Sequence, residues 1–215
     1  YSTIDYASEQ GNSDGYQTGK YDRRRERSLD ALDVRHHFTV SLVYELPFGA
    51  RRRFASGNGI IDTVIGGWQV NAITSALSGM PLVVRGANNF RANRPNSTGI
   101  SPKLDNHDAN LWINPAAFIN PPNWTLGNIG RTLPDTRRPG IVILDFSLIK
   151  DTRLSERVRL QFRAEAFNAT NHVNLGAPNT TFTAGADGQN VNANFGKILS
   201  ARSARNAQLA LKLIF

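Results

Sequence analysis

Residues 157–166, RVRLQFRAEA, alternate without a break. Arg157, Arg159, Gln161, Arg163 and Glu165 fall on one side; Val158, Leu160, Phe162, Ala164 and Ala166 fall on the other. A helix would mix the two sets on every face, so a period of two predicts a strand. Residues 37–48, HFTVSLVYELPF, repeat the pattern, with Phe38, Val40, Leu42, Tyr44, Leu46 and Phe48 on one face. His37, Thr39, Ser41 and Glu45 share the other, with Val43 as the exception. In residues 141–150, Val142, Leu144, Phe146 and Leu148 oppose Asp145 and Ser147, which lie among isoleucines. Residues 68–77 alternate more weakly through Gln69, Asn71 and Ser75, and the C-terminal ARNAQLALKLIF sets Ala207, Leu209, Leu211, Leu213 and Phe215 on one face. The pattern predicts five long strands, at about 36–48, 67–78, 141–151, 157–168 and 204–215. No stretch carries a good amphipathic-helix period.

The connections are unequal in an ordered way. Residues 49–66 and 152–156 are short links, whereas 6–35, 79–140 and 169–203 are long and rich in Gly, Asn, Pro and Asp. Structureless loops of that length argue against a compact soluble domain. They suit an outer-membrane barrel, which has short periplasmic turns and long extracellular loops. With short links periplasmic, the last strand runs inward and Phe215 lies at the periplasmic interface, level with Phe48 and Trp68. These aromatics, with Phe162 on the same outward face, suit the girdle of such a barrel. The fold class predicted is therefore all-β: an antiparallel transmembrane β-barrel segment, an open curved sheet in isolation. A secreted or surface β-sandwich, serving binding or adhesion with no transport, is the alternative with the same alternation.

Composition narrows the chemistry. Among 215 residues, 40% are hydrophobic and 20% charged, so the chain is not of disordered type. It has no cysteine, which removes disulfides, thiolate metal sites and a cysteine nucleophile. No apolar run approaches the roughly 18 residues of a transmembrane helix, but strands cross a bilayer in about 9–11. The net charge is +8 and the pI about 10.3. The basic residues are scattered through loops and walls, not gathered on one face with stacking aromatics, so nucleic acid is not an expected partner. The opening YSTID has the look of a strand already in progress, which sets the chain as the C-terminal piece of something longer.

Several blocks resemble one family. DVRHHFTVSLVYELPFG (33–49), GGWQVNAITSALSGMPL (66–82), NPAAFINPP (114–122), LDFSLIKDTRLSERVRLQFRAEAFNATNHVNLGAPN (144–179), FGKI (195–198) and the ending LALKLIF resemble the C-terminal part of TonB-dependent outer-membrane receptors. The likeness is to the Oar-like subgroup with a carboxypeptidase-regulatory-like N-terminal domain. It implies a plugged barrel of about 22 strands, of which five and the tail of a sixth are here. Residues 1–215 would form the C-terminal part of one barrel domain, with plug and signal peptide upstream. It implies energised uptake of a bulky nutrient, a TonB-type energy-coupling partner, surrounding lipid and lipopolysaccharide, and no cofactor. Leu211, Leu213 and Phe215 would form the signal read by the barrel-assembly machinery.

Candidate chemistry is sparse. Arg157, Arg159, Gln161, Arg163, Glu165 and Asp145 would line the lumen, as a path or docking surface for an anionic substrate or the plug, or as a hydrated wall of cross-strand pairs. Arg23–Arg25 would be extracellular, with forks suited to phosphate, and Arg51–Arg53 periplasmic. His36 and His37 are adjacent, so on a strand they face opposite ways. DNHD (105–108) is a polar loop with too few ligands for a metal site on its own. GNIGR (127–131) follows no strand into a helix and has the character of a turn. No nucleophile elbow frames a serine, so no catalytic residue and no enzyme activity are expected. The matches at Asn96 and Asn168 to a glycosylation acceptor carry no weight in a bacterial chain.

Overall fold

A computed structural model describes residues 4–5, 27–50, 52–54, 57–86 and 94–215. In chain order the elements are β1 (Ile4–Asp5), β2 (Ser28–Leu29), β3 (His37–Glu45), helix α1 (Gly59–Ile65), β4 (Trp68–Leu77), β5 (Pro81–Leu82), β6 (Asn96–Ser97), β7 (Phe118–Ile119), β8 (Leu133–Arg137), β9 (Ile141–Arg153), β10 (Arg159–Phe167) and β11 (Asn206–Ile214). Two compact units result. One holds 37–76, 141–173 and 203–215; the other holds 77–140, 174–202 and the described residues before 37.

The first unit is a five-stranded open sheet in the order β11-β10-β9-β4-β3. These are the five long strands that the alternation predicts. β10 pairs antiparallel with β11, from Arg159 opposite Ile214 to Phe167 opposite Asn206. It pairs antiparallel with β9, from Arg159 opposite Arg153 to Ala166 opposite Phe146. The Leu46 amide donates to the Trp68 carbonyl, and the Ser78 amide donates to the His36 carbonyl. The end of β3 thus meets the start of β4, and the pair is antiparallel too.

One register lines up the apolar rows, with Lys150 and Thr152 as the polar exceptions. Phe146, Leu148, Lys150 and Thr152 lie beside Ala166, Ala164, Phe162 and Leu160, which lie beside Ala207, Leu209, Leu211 and Leu213. A one-residue slip would invert all of these rows. The apolar face is uncovered: Phe38, Leu42, Val142 and Leu211 are exposed, and Leu209 is 76% exposed. A β-sandwich would bury such a face; a bilayer solvates it. Leu42 sits near the middle of β3 on this face, and Leu42→Arg should destabilise the refolded barrel by about 2–4 kcal/mol. Urea titration of the full-length protein in lipid vesicles reads that loss, and a loss under about 1 kcal/mol would remove Leu42 from the lipid.

The link 49–66 departs from the expectation of no helix. Residues 59–65, GIIDTVI, form α1, seven residues long. Five of them are β-branched, a composition that favours strands. The Asn58 side chain decides the matter by accepting from the Ile60 and Ile61 amides at 3.0 and 3.4 Å. Gly49 enters this link at φ +100°, and a Cβ there would lie 2.6 Å from the Gly66 Cα. The other short link is a tight turn in which Leu154 and Ser155 both donate to the Val158 carbonyl.

The second unit overturns the picture of loops without structure. Leu82, Val84, Ile113, Ala117, Phe118, Ile129, Leu133, Phe182 and Phe195 form one buried core. They come from two of the long connections, 79–140 and 169–203. Short ladders β5–β8 and β6–β7 frame the core. Phe195 meets Phe118 at 5.6 Å and Phe182 at 6.4 Å, both edge to face.

Candidate functional site

The polar face of the sheet carries most of the predicted lumen row. Arg159, Gln161, Arg163 and Glu165 share one side of β10 and lie beside Arg153, Asp151, Ile149 and Ser147 of β9. Arg157 lies outside β10, in the Ser155–Val158 turn, where its amide donates to the Ser155 hydroxyl at 3.4 Å. The charges are largely paired within the face. Glu165 accepts from Gln208 at 2.5 Å and lies 3.2 Å from the Arg163 guanidinium. Asp151 accepts from Gln161 at 3.0 Å. Asp145 accepts the Asn168 amide at 2.9 Å, so it fastens the chain where β10 ends.

Asn168 extends that fastening. It is buried with φ +50°, the left-handed conformation that asparagine tolerates best among residues with a side chain. Its Nδ2 donates to the His172 carbonyl, and its Oδ1 accepts the His172 amide, both at 3.0 Å. The FNATNH block is therefore a backbone-satisfying turn.

At the end of the face bearing the short links, Arg153 and Arg159 stand directly opposite each other. Lys212 lies on the same face beside Gln161. Both arginines are exposed, so water screens a pairing that would be unfavourable if buried. The result is a cationic rim on a face that is otherwise neutralised. Phe48, Trp68 and Phe215 stand at this same end, and Phe162 lies further along the apolar face between Lys150 and Leu211. Of the three residues that the resemblance implies as an assembly signal, Leu211 is 68% and Phe215 89% exposed. Arg23–Arg25 and Arg51 lie outside the described residues; Arg52 pairs with Glu45 at 2.6 Å.

In the second unit the alternation finds none of the anchoring residues. Arg137 ends β8 and reaches Asp33 at 2.5 Å, with the Asp33 side chain wholly buried. The same guanidinium donates to the carbonyls of Asp33 and Gly79. Trp112 Nε1 donates to the Arg137 carbonyl at 2.7 Å. Asp33 does stand in the DVRHHF block, but nothing local announces its partner 104 residues away.

GNIGR proves to be packing and not a phosphate cradle. A Cβ on Gly127 would lie 1.8 Å from the Arg94 carbonyl, Ile129 enters the core, and Arg131 is buried. An open cleft of about 420 Å³ runs past Leu32, Val83, Arg85, Arg138, Pro178 and Thr181.

The DNHD loop is organised internally. His107 Nδ1 meets the Leu104 carbonyl at 3.1 Å, and its ring stands edge-on to Trp112. Asp108 accepts the Asn110 and Leu111 amides at 2.8 and 3.0 Å. These two amides hold its carboxyl below the ordinary aspartate value. Among the described residues, no three metal-ligating side chains stand together. Because the folded carboxyl titrates below the unfolded one, the turn's stabilisation is full above the unfolded value and fades as pH falls through the folded one. Asp108→Ala should therefore raise hydrogen exchange at Asn110 and Leu111 at neutral pH. At a pH below the folded value the variant and the parent should converge.

Residues 2–208 match a family model described as an outer membrane beta barrel domain. Searches of curated proteins and of solved structures returned no match. The match spans nearly the whole chain, which accordingly belongs to this outer-membrane β-barrel family, and the protein resides in the bacterial outer membrane.

Proposed function

We propose that this outer-membrane barrel section belongs to a TonB-dependent receptor of the Oar-like type, which draws a bulky nutrient inward with energy from a TonB-type partner. The observation that carries the reading is the folded connection unit. A passive pore needs only loops, whereas a receptor needs a shaped surface, and here two connections build one with a core of nine buried apolar residues. The blocks from DVRHHF to LALKLIF support it further by their resemblance to that receptor group. In this reading the connection unit faces the medium and the polar face looks onto a plug. Lipid and lipopolysaccharide surround the barrel, the assembly machinery reads Leu211, Leu213 and Phe215, and no residue is catalytic.

The test uses the native bacterium, comparing a strain with the intact receptor gene and a deletion strain. Solutes lost from the medium are profiled by mass spectrometry, with and without a protonophore. The expected result is at least one solute whose loss needs both the receptor and an energised membrane. Receptor-dependent loss that survives the protonophore would make the barrel a passive pore. An adhesion role predicts no receptor-dependent flux at all.

A further inference from the structure

Helix α1 is inside out. In a water-soluble helix the acid faces solvent and the isoleucines face the core. Here Asp62 is buried at 7% exposure, while Ile60 is 80%, Val64 61% and Ile61 47% exposed. A helix that turns its apolar residues outward needs an apolar surrounding on that side.

Two side chains say which surrounding. Lys150 stands in the apolar row of the sheet, beside Phe162, which is beside Leu211. Its Nζ turns to the backbone at the end of α1. It donates to the Thr63 carbonyl at 2.8 Å and the Gly66 carbonyl at 2.6 Å, at the C-terminal end of α1. A cation there also complements the helix dipole. Trp68 begins β4, and its Nε1 donates to the Val64 carbonyl at 3.1 Å. The Lys150 ammonium lies 5.1 Å from the Trp68 ring centroid. A lysine and a tryptophan of the sheet's rim thus hold α1, while Ile60 and Ile61 stay exposed. Lysine and tryptophan with an apolar stem and a polar tip suit the boundary between acyl chains and headgroups.

We infer that α1 is an interfacial anchor, lying along the outer rim of the barrel with Ile60, Ile61 and Val64 in the headgroup–acyl boundary of one leaflet. With the short links facing the periplasm, that leaflet is the phospholipid one. The inference rests on the reading of the apolar rows as the lipid face, and the experiment tests the two separately.

The 215 residues contain no cysteine, so single cysteines can be introduced into them cleanly. Spin labels are placed at Ile60→Cys and Val64→Cys in the full-length receptor in phospholipid vesicles. Leu42→Cys and Val142→Cys on the sheet serve as lipid references, and Glu156→Cys in the β9–β10 turn serves as a water reference. Relaxation by oxygen, which concentrates in lipid, is compared with relaxation by a water-soluble nickel chelate. The expected result is that the Ile60 and Val64 labels lose nickel relaxation and gain oxygen relaxation, grouping with Leu42 and Val142. If they group with Glu156 while the references remain in lipid, the anchor is overturned and the barrel face stands. If the references also report water, both fall.

Discussion

Replacing Asp33 with alanine is expected to speed hydrogen exchange of the Phe182 amide by more than about two orders of magnitude, a loss of about 3–5 kcal/mol in the connection unit. That amide is bonded to the Arg85 carbonyl at 2.6 Å and sits in the aromatic core. Asp33 has no exposed side chain, and Arg137 keeps only 13% of its own exposed. Removing the carboxylate leaves a guanidinium with little water and no counter-charge, and that uncompensated charge is the main cost. The guanidinium also joins Gly79 to Asp33, so the damage spreads to both chain segments it holds. The double variant Asp33→Ala with Arg137→Met removes the orphaned charge and should recover part of the loss. Measured in the full-length protein in vesicles, an exchange rate for Asp33→Ala within tenfold of the parent would show that the pair does not hold the unit.

Phe182→Ala is expected to cost about 3–5 kcal/mol in the same unit. Phe182 is 1% exposed and meets Phe195 edge to face. Truncation forfeits its burial and leaves a void in a core of nine residues, where few neighbours can close it. The backbone cannot follow, because Gly86 lies so close that a Cβ on it would stand 2.2 Å from the Phe182 carbonyl. The sheet unit contains none of these contacts. Limited proteolysis of the full-length protein in vesicles should therefore cut the variant between 79 and 140 or between 174 and 202, while the strands of the sheet stay protected. Cleavage inside β9 or β10 at the same protease dose would mean that the two units unfold together.

If such a variant lost uptake while its barrel remained assembled, cargo recognition would be tied to the connection unit. Lost assembly would tie the unit to folding instead. The two results separate binding surface from scaffold without knowledge of the cargo.

The identity of the five long strands was local information. A period of two held over ten residues in RVRLQFRAEA can bury or expose one face only as a strand, whatever surrounds it. The same rows, with short links alternating with long, were enough to choose a membrane over a second sheet. Ending effects blurred the edges: β9 runs to Arg153, and Arg157 belongs to the turn because the chain needs those residues to reverse.

What the tertiary structure decided has no period to betray it. Val84, Ile113, Phe118, Phe182 and Phe195 come from short segments far apart, and only their meeting makes a core. The Asp33–Arg137 pair spans 104 residues, and α1 is helical against the preference of its own isoleucines because Asn58, Trp68 and Lys150 cap and hold it. Alternation reports where each side chain points along one strand; it carries no information about which distant segments find each other, since that is set by long-range burial and charge pairing that exist only once the chain has folded.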